Sequence, residues 1–373
     1  MNHITTPVGV RGRVEWRVFD ALGRPTRVLT RNRDGRERLV LGGSQPNLIT
    51  NTGMNAIAGS WQTGHGIWNV AAAQAIAANW RYHARFGTGS TAPAFTDTTL
   101  GNQVLASNTS GAFTGFQLAG SGTENVTWTC EYMRRKLATA TSAVNLTEFG
   151  LSFSEADADL AVRELFRDEF GDPITLSLPA GASIRLDHTV EVTLDLSEVT
   201  GTLALEELDV NGALVTTHNI DYAAKWWTRT SGASSDSVKT QHLTMALQAA
   251  GTTQVPTFAS GNVLLRASGL NPALPGTFGG ALDPSGWATI GNDGITNDSP
   301  AYVADSHEIA RRFVIDPAIA NGDWTGYGRR LNQTYFTDNQ GGGLLIAFRN
   351  DGVHVKEDTH SLTWEHRLSW SRA

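Results

Sequence analysis

One cysteine in 373 residues leaves no internal disulfide to form. Cys130, in "TWTCEYM", reads as a small buried residue on a strand, and such a chain suits folding in a reducing cytosol. Charge is scarce too, with Asp, Glu, Lys and Arg at 17% against a usual ~25%. The balance is formally -7 at pH 7, which argues against a general affinity for nucleic acid. No run approaches the ~18 apolar residues of a membrane-spanning helix, so no membrane insertion is expected. The opening "MNHITTPVGVRGRVEW" has no apolar core of the kind a signal peptide carries.

Catalytic signatures are missing as well. There is no H-E-x-x-H, one cysteine forbids C-x-x-C, and "GLSFS" (Gly150–Ser154) lacks the second glycine of a nucleophile elbow. His354, His360 and His366 fall over a turn and two strands, a spread that random spacing explains better than a zinc site. The acidic run "EADAD" holds Glu155, Asp157 and Asp159 in a small, alanine-interleaved stretch. It reads as a solvated loop rather than as a carboxylate pair straddling a sugar. "GNDGITND" (Gly291–Asp298) has calcium-type oxygens without EF-hand spacing, so turn chemistry accounts for it. The expectation is a protein that is not an enzyme, with no metal and no cofactor.

What is abundant is glycine, at 39 residues, and apolar side chains, at 40%. Together with frequent Ser and Thr, that profile suits an all-β chain with many turns. "GRVEWRVFDALGRPTRVL" puts Val14, Trp16 and Val18 on one face and Glu15 and Arg17 on the other, then turns at Asp20–Pro25. The run "ASIRLDHTVEVTLDLS" alternates Ile184, Leu186, His188 and Val190 against Arg185, Asp187 and Thr189. Further turns are expected at Glu155–Asp159, Gly171–Pro173 and Pro179–Gly181. One short helix follows Asn51 or Thr52 as cap, with Met54, Ile57 and Ala58 at helical spacing and Gly59 as its stop. The alanine-rich stretch Gly66–Trp80 suggests a second.

The second half echoes the first. Glu15–Val28 resembles Leu205–His218, and Tyr82–Ala94 lines up with Val263–Pro275. "TCEYMRRKL" can be set beside "EIARRFVID". Leu160–Pro173 resembles Gly343–Lys356, sharing Phe-Arg and then an acidic turn. "SIRLDHTVEVTL" answers "SLTWEHRLSWSR", with acidic-His pairs at Asp187-His188 and Glu365-His366. The same order throughout implies two tandem antiparallel β-sandwich-like domains, 1–198 and 199–373, with one or two short helices.

The segment Gly87-Thr88-Gly89-Ser90-Thr91-Ala92 fits G-x-G-x-x-A, the outline of a dinucleotide loop. That loop must open a helix whose free amides hold the phosphate. Here Pro93 follows at once, with Thr96, Thr98 and Thr99 behind it and no lysine between Arg85 and Val104. A wide loop between β elements is the better reading. Eleven Trp residues are also many. Trp226 and Trp227 are adjacent, so on a strand they face opposite ways and only one can be buried. The other is then a candidate for a ligand or protein contact.

The ordered set "NLITNTGMNAIA", "ARFGTGSTAPAFTDTTLGNQV", "LTEFGLSFS" and "AVRELFRDEFGDPITLSLPAGASIRLDHTVEVTL" resembles a group of virion structural proteins of tailed bacteriophages, described as tail, tail-fibre or appendage proteins. The shared positions are Gly87, Thr88, Gly89, Pro93, Asp97, Thr98, Leu100, Gly150, Phe166, Asp168, Pro173 and Gly181, within residues 40–195. The second half departs from it, with "SGLNPALPG" in place of the G-T-G loop. The resemblance implies a homo-oligomeric structural component, assembled in the host cytoplasm into the virion, whose partners are copies of itself and other virion proteins. It also implies that Asp97 or Thr98 caps the turn after it and that Thr88 and Asp97 sit where a neighbouring subunit contacts the loop. The alternative it offers is a host-receptor or carbohydrate-binding module at an appendage tip. In that case Trp226, Trp227 and Trp324 are the contacts and a host surface glycan is the partner.

Overall fold

The alternation at the start of the chain becomes a long strand, His3–Phe19 (β1), with Val8, Val10, Val14, Trp16 and Val18 buried and Arg11 and Arg17 exposed. A side-chain period of two with one polar face is what fixes this register. The computed structural model describes residues 3–56, 83–107, 116–123, 126–152, 159–197, 199–228, 262–267, 287–291, 295–298, 302–317, 322–332 and 342–373. Among the described residues the fold is all-β, with one short helix, residues 51–56.

After β1 come β2 (Val28–Asn32), β3 (Glu37–Val40), β4 (Gly42–Ile49), β5 (His83–Gly87), β6 (Gln103–Ala106), β7 (Phe116–Thr123) and β8 (Thr127–Thr139). Next are β9 (Val144–Leu146), β10 (Glu148–Ser152), β11 (Leu160–Leu165), β12 (Ile174–Leu178), β13 (Ser183–Asp195), β14 (Val199–Leu208) and β15 (Leu214–Thr228). The remainder are β16 (Asn262–Ala267), β17 (Trp287–Gly291), β18 (Ile295–Asp298), β19 (Glu308–Ile315), β20 (Gly322–Asn332), β21 (Gly342–Lys356) and β22 (Ser361–Arg372).

Two compact units divide the chain. One holds residues 9–119, 131–192 and 372–373, and the other holds residues 1–8, 120–130 and 193–371. In the first, an antiparallel ladder runs β1-β4-β11-β10-β5-β6. A separate four-stranded sheet runs β3-β2-β12-β9. The core is aromatic. Phe166 meets Trp16 edge-on at 5.7 Å and Phe149 at 5.1 Å, and stacks on Phe86 at 6.4 Å. Such pairs add specificity beyond the area they bury. Cys130, on β8, is fully buried as expected of a small apolar residue.

The second unit is a longer antiparallel ladder, β17-β16-β20-β21-β15-β14-β22-β19-β18. Leu203, Leu205, Ile220, Leu362, Trp364 and Trp370 are buried in it. Here one expectation fails. Asn350 and Asp351 were expected to turn, yet they lie inside β21. Asn350 pairs with Ile220 of β15, which holds it extended, while the ladder to β20 skips both residues. The Asn-Asp-Gly sequence still leaves a mark: β20 steps from Trp324 to Gly326 while β21 steps from His354 to Arg349, a bulge in β21.

The helix begins one residue earlier than the sequence suggests. Thr50 is the cap: its Oγ1 accepts from Gly53 N at 3.1 Å, and its carbonyl accepts from Met54 N at 2.9 Å. Thr50 was passed over because Asn51 and Thr52 are equally good caps by type. Oγ1 of Thr50 also donates to Leu160 O at 2.5 Å, which docks the helix start on β11. The second helix expected over Gly66–Trp80 lies outside the described residues. Among the described residues no helix is long and apolar enough to cross a membrane.

Candidate functional site

The G-T-G loop leaves β5, whose five residues are all buried, and returns into β6. At its centre is a carboxylate from a distant part of the chain. Glu148, the first residue of β10, is 0% exposed. Its Oε1 accepts from the backbone amides of Gly89 at 2.8 Å and Asn102 at 3.2 Å. Its Oε2 accepts from Arg163 Nε at 3.0 Å and Nη2 at 2.9 Å. The glycines follow from this. A Cβ on Gly87 would meet Glu148 Oε1 at 2.5 Å, and one on Gly89 would meet it at 2.3 Å.

Arg163, on β11, carries the network outward. Its Nη1 donates to Asp97 Oδ2 at 2.6 Å and its Nη2 to Thr91 O at 3.2 Å. Burial works against its charge, but its hydrogen bonds to Asp97 and Glu148, with the charges of those carboxylates, outweigh it and raise the guanidinium pKa. Asp97 also accepts from Ala94 N at 2.7 Å, so it caps the turn before it, not the one after. The reason is geometric: Arg163 holds the carboxylate back toward residue 94. Thr88 N donates to Asn102 O at 2.9 Å, and Asn102 Nδ2 donates to Thr88 Oγ1 at 2.7 Å. Thr147 Oγ1 donates to Gly89 O at 2.6 Å.

The structure thus brings Thr88 and Asp97 into one network around Glu148 and Arg163. The amides that would cradle a phosphate are already donated to a carboxylate. The pocket beside Ser90 and Thr147 is about 130 Å³, small against the ~300–1,000 Å³ of ligand sites. A buried pair of this kind adds little net stability over an apolar pair, but removing one partner is costly. What it supplies is a fixed loop shape.

Trp226 and Trp227 lie on β15 opposite Leu344 and Gly343 of β21, and Trp324 on β20 lies opposite His354. The positions of these three indoles lie outside the described part of the structure. Asp159 is exposed with a φ of 70°, and its expected neighbours Glu155 and Asp157 are not among the described residues. Of the three histidines singled out, the side chains of His354 and His366 lie outside the described residues. His360 Nδ1 meets Glu207 Oε1 at 2.6 Å, and His218 Nε2 meets Glu207 Oε2 at 2.8 Å. Glu207 is 4% exposed, clamped between two imidazoles from β15 and from the turn before β22. Among the described residues no group of three His, Cys, Asp or Glu side chains is placed to hold a metal ion.

Glu148, Arg163 and Glu207 were missed in the sequence. For Glu148 and Arg163 a signal existed, since each stands in a short, mostly apolar strand, "EFGLS" and "LAVREL", and a buried charge must be paired; Glu207, beside Glu206 in a ten-residue strand, carried none. No family model matches the chain, and neither the curated proteins nor the solved structures contain a match.

Proposed function

We propose that the chain is a non-catalytic structural component of a tailed-bacteriophage virion, a tail or appendage protein that works alongside copies of itself. The observation that carries the reading is the use made of the residues on which the resemblance rests. Gly87 and Gly89 clear space for Glu148, Asp97 anchors Arg163, and Thr88 ties the two arms of the loop. Phe166 centres the core, and Asp168 closes a hairpin through the amides of Phe170 and Asp172. Their polar atoms are spent inside the unit, on holding shape rather than on chemistry.

Mass spectrometry of washed, purified particles tests this. The chain is expected at a copy number that fits a symmetric ring or fibre set, and deleting its gene is expected to give particles defective in assembly or attachment. Absence from the particles sinks the proposal.

A further inference from the structure

The pocket of about 130 Å³ beside Ser90 is closed by three segments of the first unit: the G-T-G loop, the end of β2 with its turn, and the start of β12. With liquid water at about 30 Å³ a molecule, the space equals roughly four waters, room for a group of about five heavy atoms but not for a sugar ring or a nucleotide. Its polar lining is the guanidiniums of Arg31 and Arg33, the Asn32 amide, and the hydroxyls of Ser90, Thr147 and Thr175. No carboxylate is among the described residues that line it. In a chain of formal charge -7 that is unusual. Five carboxylates line the cleft at Trp16, three line the pocket at Arg135, and Glu164 lines the pocket at Phe95.

The lining groups are within reach of solvent. Arg31, Arg33 and Ser90 are exposed and Thr175 is half-buried. Arg33, Ser90 and Thr175 make no side-chain hydrogen bond or ion pair among the described residues. Arg31 gives Nε and Nη2 to Glu37 Oε1, which leaves Nη1. Asn32 Oδ1 accepts from Arg36 N at 2.9 Å, which leaves Nδ2 to donate. Thr147 is committed to Gly89 O, and that bond holds the residue next to Ser90 in place. The register Thr175↔Arg31 sets those two side chains on one face of the sheet. Neighbouring negative charges are balanced, Glu37 by Arg31 and Glu148 by Arg163. Asp34, next to Arg33 in the chain, lines the Trp16 cleft instead. Two guanidiniums repel a cation. A carboxylate brings one charge and two oxygens in a plane. A phosphate group brings a charge of about -1.5 to -2 and three strong acceptor oxygens, which match two guanidiniums and donors from three segments.

We infer that this pocket binds a phosphate group, free or at the end of an ester, with Arg31 and Arg33 against its charge and Ser90, Thr175 and Asn32 donating to its oxygens. The inference holds whether or not the chain resides in a virion. The test is an NMR titration of the isotope-labelled full chain with sodium phosphate near pH 8, at constant ionic strength so that screening does not change. Saturable amide shifts centred on Arg33, Ser90 and Thr175 are expected, with a dissociation constant of about 1–10 mM. Arg33→Ala should weaken binding about tenfold, the loss of one charge-assisted contact, and leave the melting curve in place because the side chain is exposed. Ser90→Ala should weaken it less, and Arg31→Ala/Arg33→Ala should abolish it. Glycerol phosphate separates the two sources: binding as tight as that of inorganic phosphate assigns the pocket to an ester, and exclusion assigns it to the free ion. Failure to saturate by about 50 mM phosphate, an equal response to acetate, or an affinity unchanged in Arg33→Ala overturns the inference.

Discussion

The turn at Asp20–Arg24 and the turn at Asp209–Ala213 belong to different units, yet they are built alike. In each, the aspartate N–H donates to the carbonyl four residues on, at 2.9 Å, and its carbonyl accepts from a glycine three residues on, at 2.9 Å. In each, Oδ1 accepts two more amides, from Leu22 and Arg24 in one and from Asn211 and Ala213 in the other. Gly23 and Gly212 have φ of 74° and 79°. Asn32–Arg36 and Asp168–Asp172 repeat the pattern, with Gly35 at 78° and Gly171 at 86°. This is the type I turn with a left-handed glycine that joins many hairpins. It needs only Asp or Asn and, three residues later, Gly. Four copies show that it arises from local sequence, so its recurrence is weak support for a duplication.

The loop around Glu148 teaches the opposite. Glu148 is 59 residues from Gly89 and 15 from Arg163, so no local pattern contains it. The two kinds of feature should respond differently to mutation. The largest effect is expected at the long-range network. Glu148→Ala leaves Arg163 buried without its main partner and two amides unsatisfied, and should cost about 3–5 kcal/mol in urea unfolding followed by tryptophan fluorescence. Replacing both partners, as Glu148→Leu with Arg163→Met, should cost less than either alone. Purely additive losses would break the claim that they act as one network.

Gly89→Ala is the next largest. Its Cβ would stand 2.3 Å from Glu148 Oε1, a clash that only displacement of the loop relieves. A loss of about 1–3 kcal/mol is expected, and it should shrink in a Glu148→Ala background, where the obstacle is gone. Equal losses in both backgrounds would show that the glycine is there for another reason.

These cases mark what was legible in the sequence. The strands β1 and β13 could be read because one apolar face recurs every second residue, from Val14 to Val18 and from Ile184 to Val190. Buried neighbours such as Asp187 and Thr189 blurred the pattern without hiding it. The hairpin turns could be read because their chemistry spans five residues. The helix was placed one residue late because Thr50, Asn51 and Thr52 are all capping types and only the tertiary bond to Leu160 O separates them. The loop could be recognised as a loop, but not its purpose, because Glu148 and Arg163 come from other strands.

A smaller effect compares the two units directly. Gly23→Ala and Gly212→Ala each place a Cβ where nothing lies within 4 Å, so crowding is absent and only the left-handed backbone is strained. Each should cost about 1–2 kcal/mol. Near-equality is the informative outcome. If the two losses differ by more than about 0.5 kcal/mol, beyond the scatter of independent sites, the surroundings matter and the turns are not purely local.

The smallest effect is electrostatic. The amide of Arg24 and its guanidinium hold the Asp20 carboxyl below the ordinary carboxylate value, and the amides of Ala213 and Asn211 do the same for Asp209. A depressed folded-state pKa favours the folded turn at any pH above the unfolded value, about 3.9. That contribution fades as pH falls below about 3.9 toward the folded-state value, because protonation removes the acceptor charge. Both carboxylates are in solvent, so the gain is small and screened by salt. Carboxyl carbon shifts followed by NMR from pH 7 to pH 2 should show Asp20 and Asp209 both titrating below the ordinary carboxylate value. The side-chain pair with Arg24 at 2.8 Å gives Asp20 a guanidinium partner, where the side-chain hydrogen bond to Asp209 comes from the neutral Asn211. Raising the salt concentration should therefore move Asp20 more than Asp209, and an equal response would show that the backbone amides alone set both values.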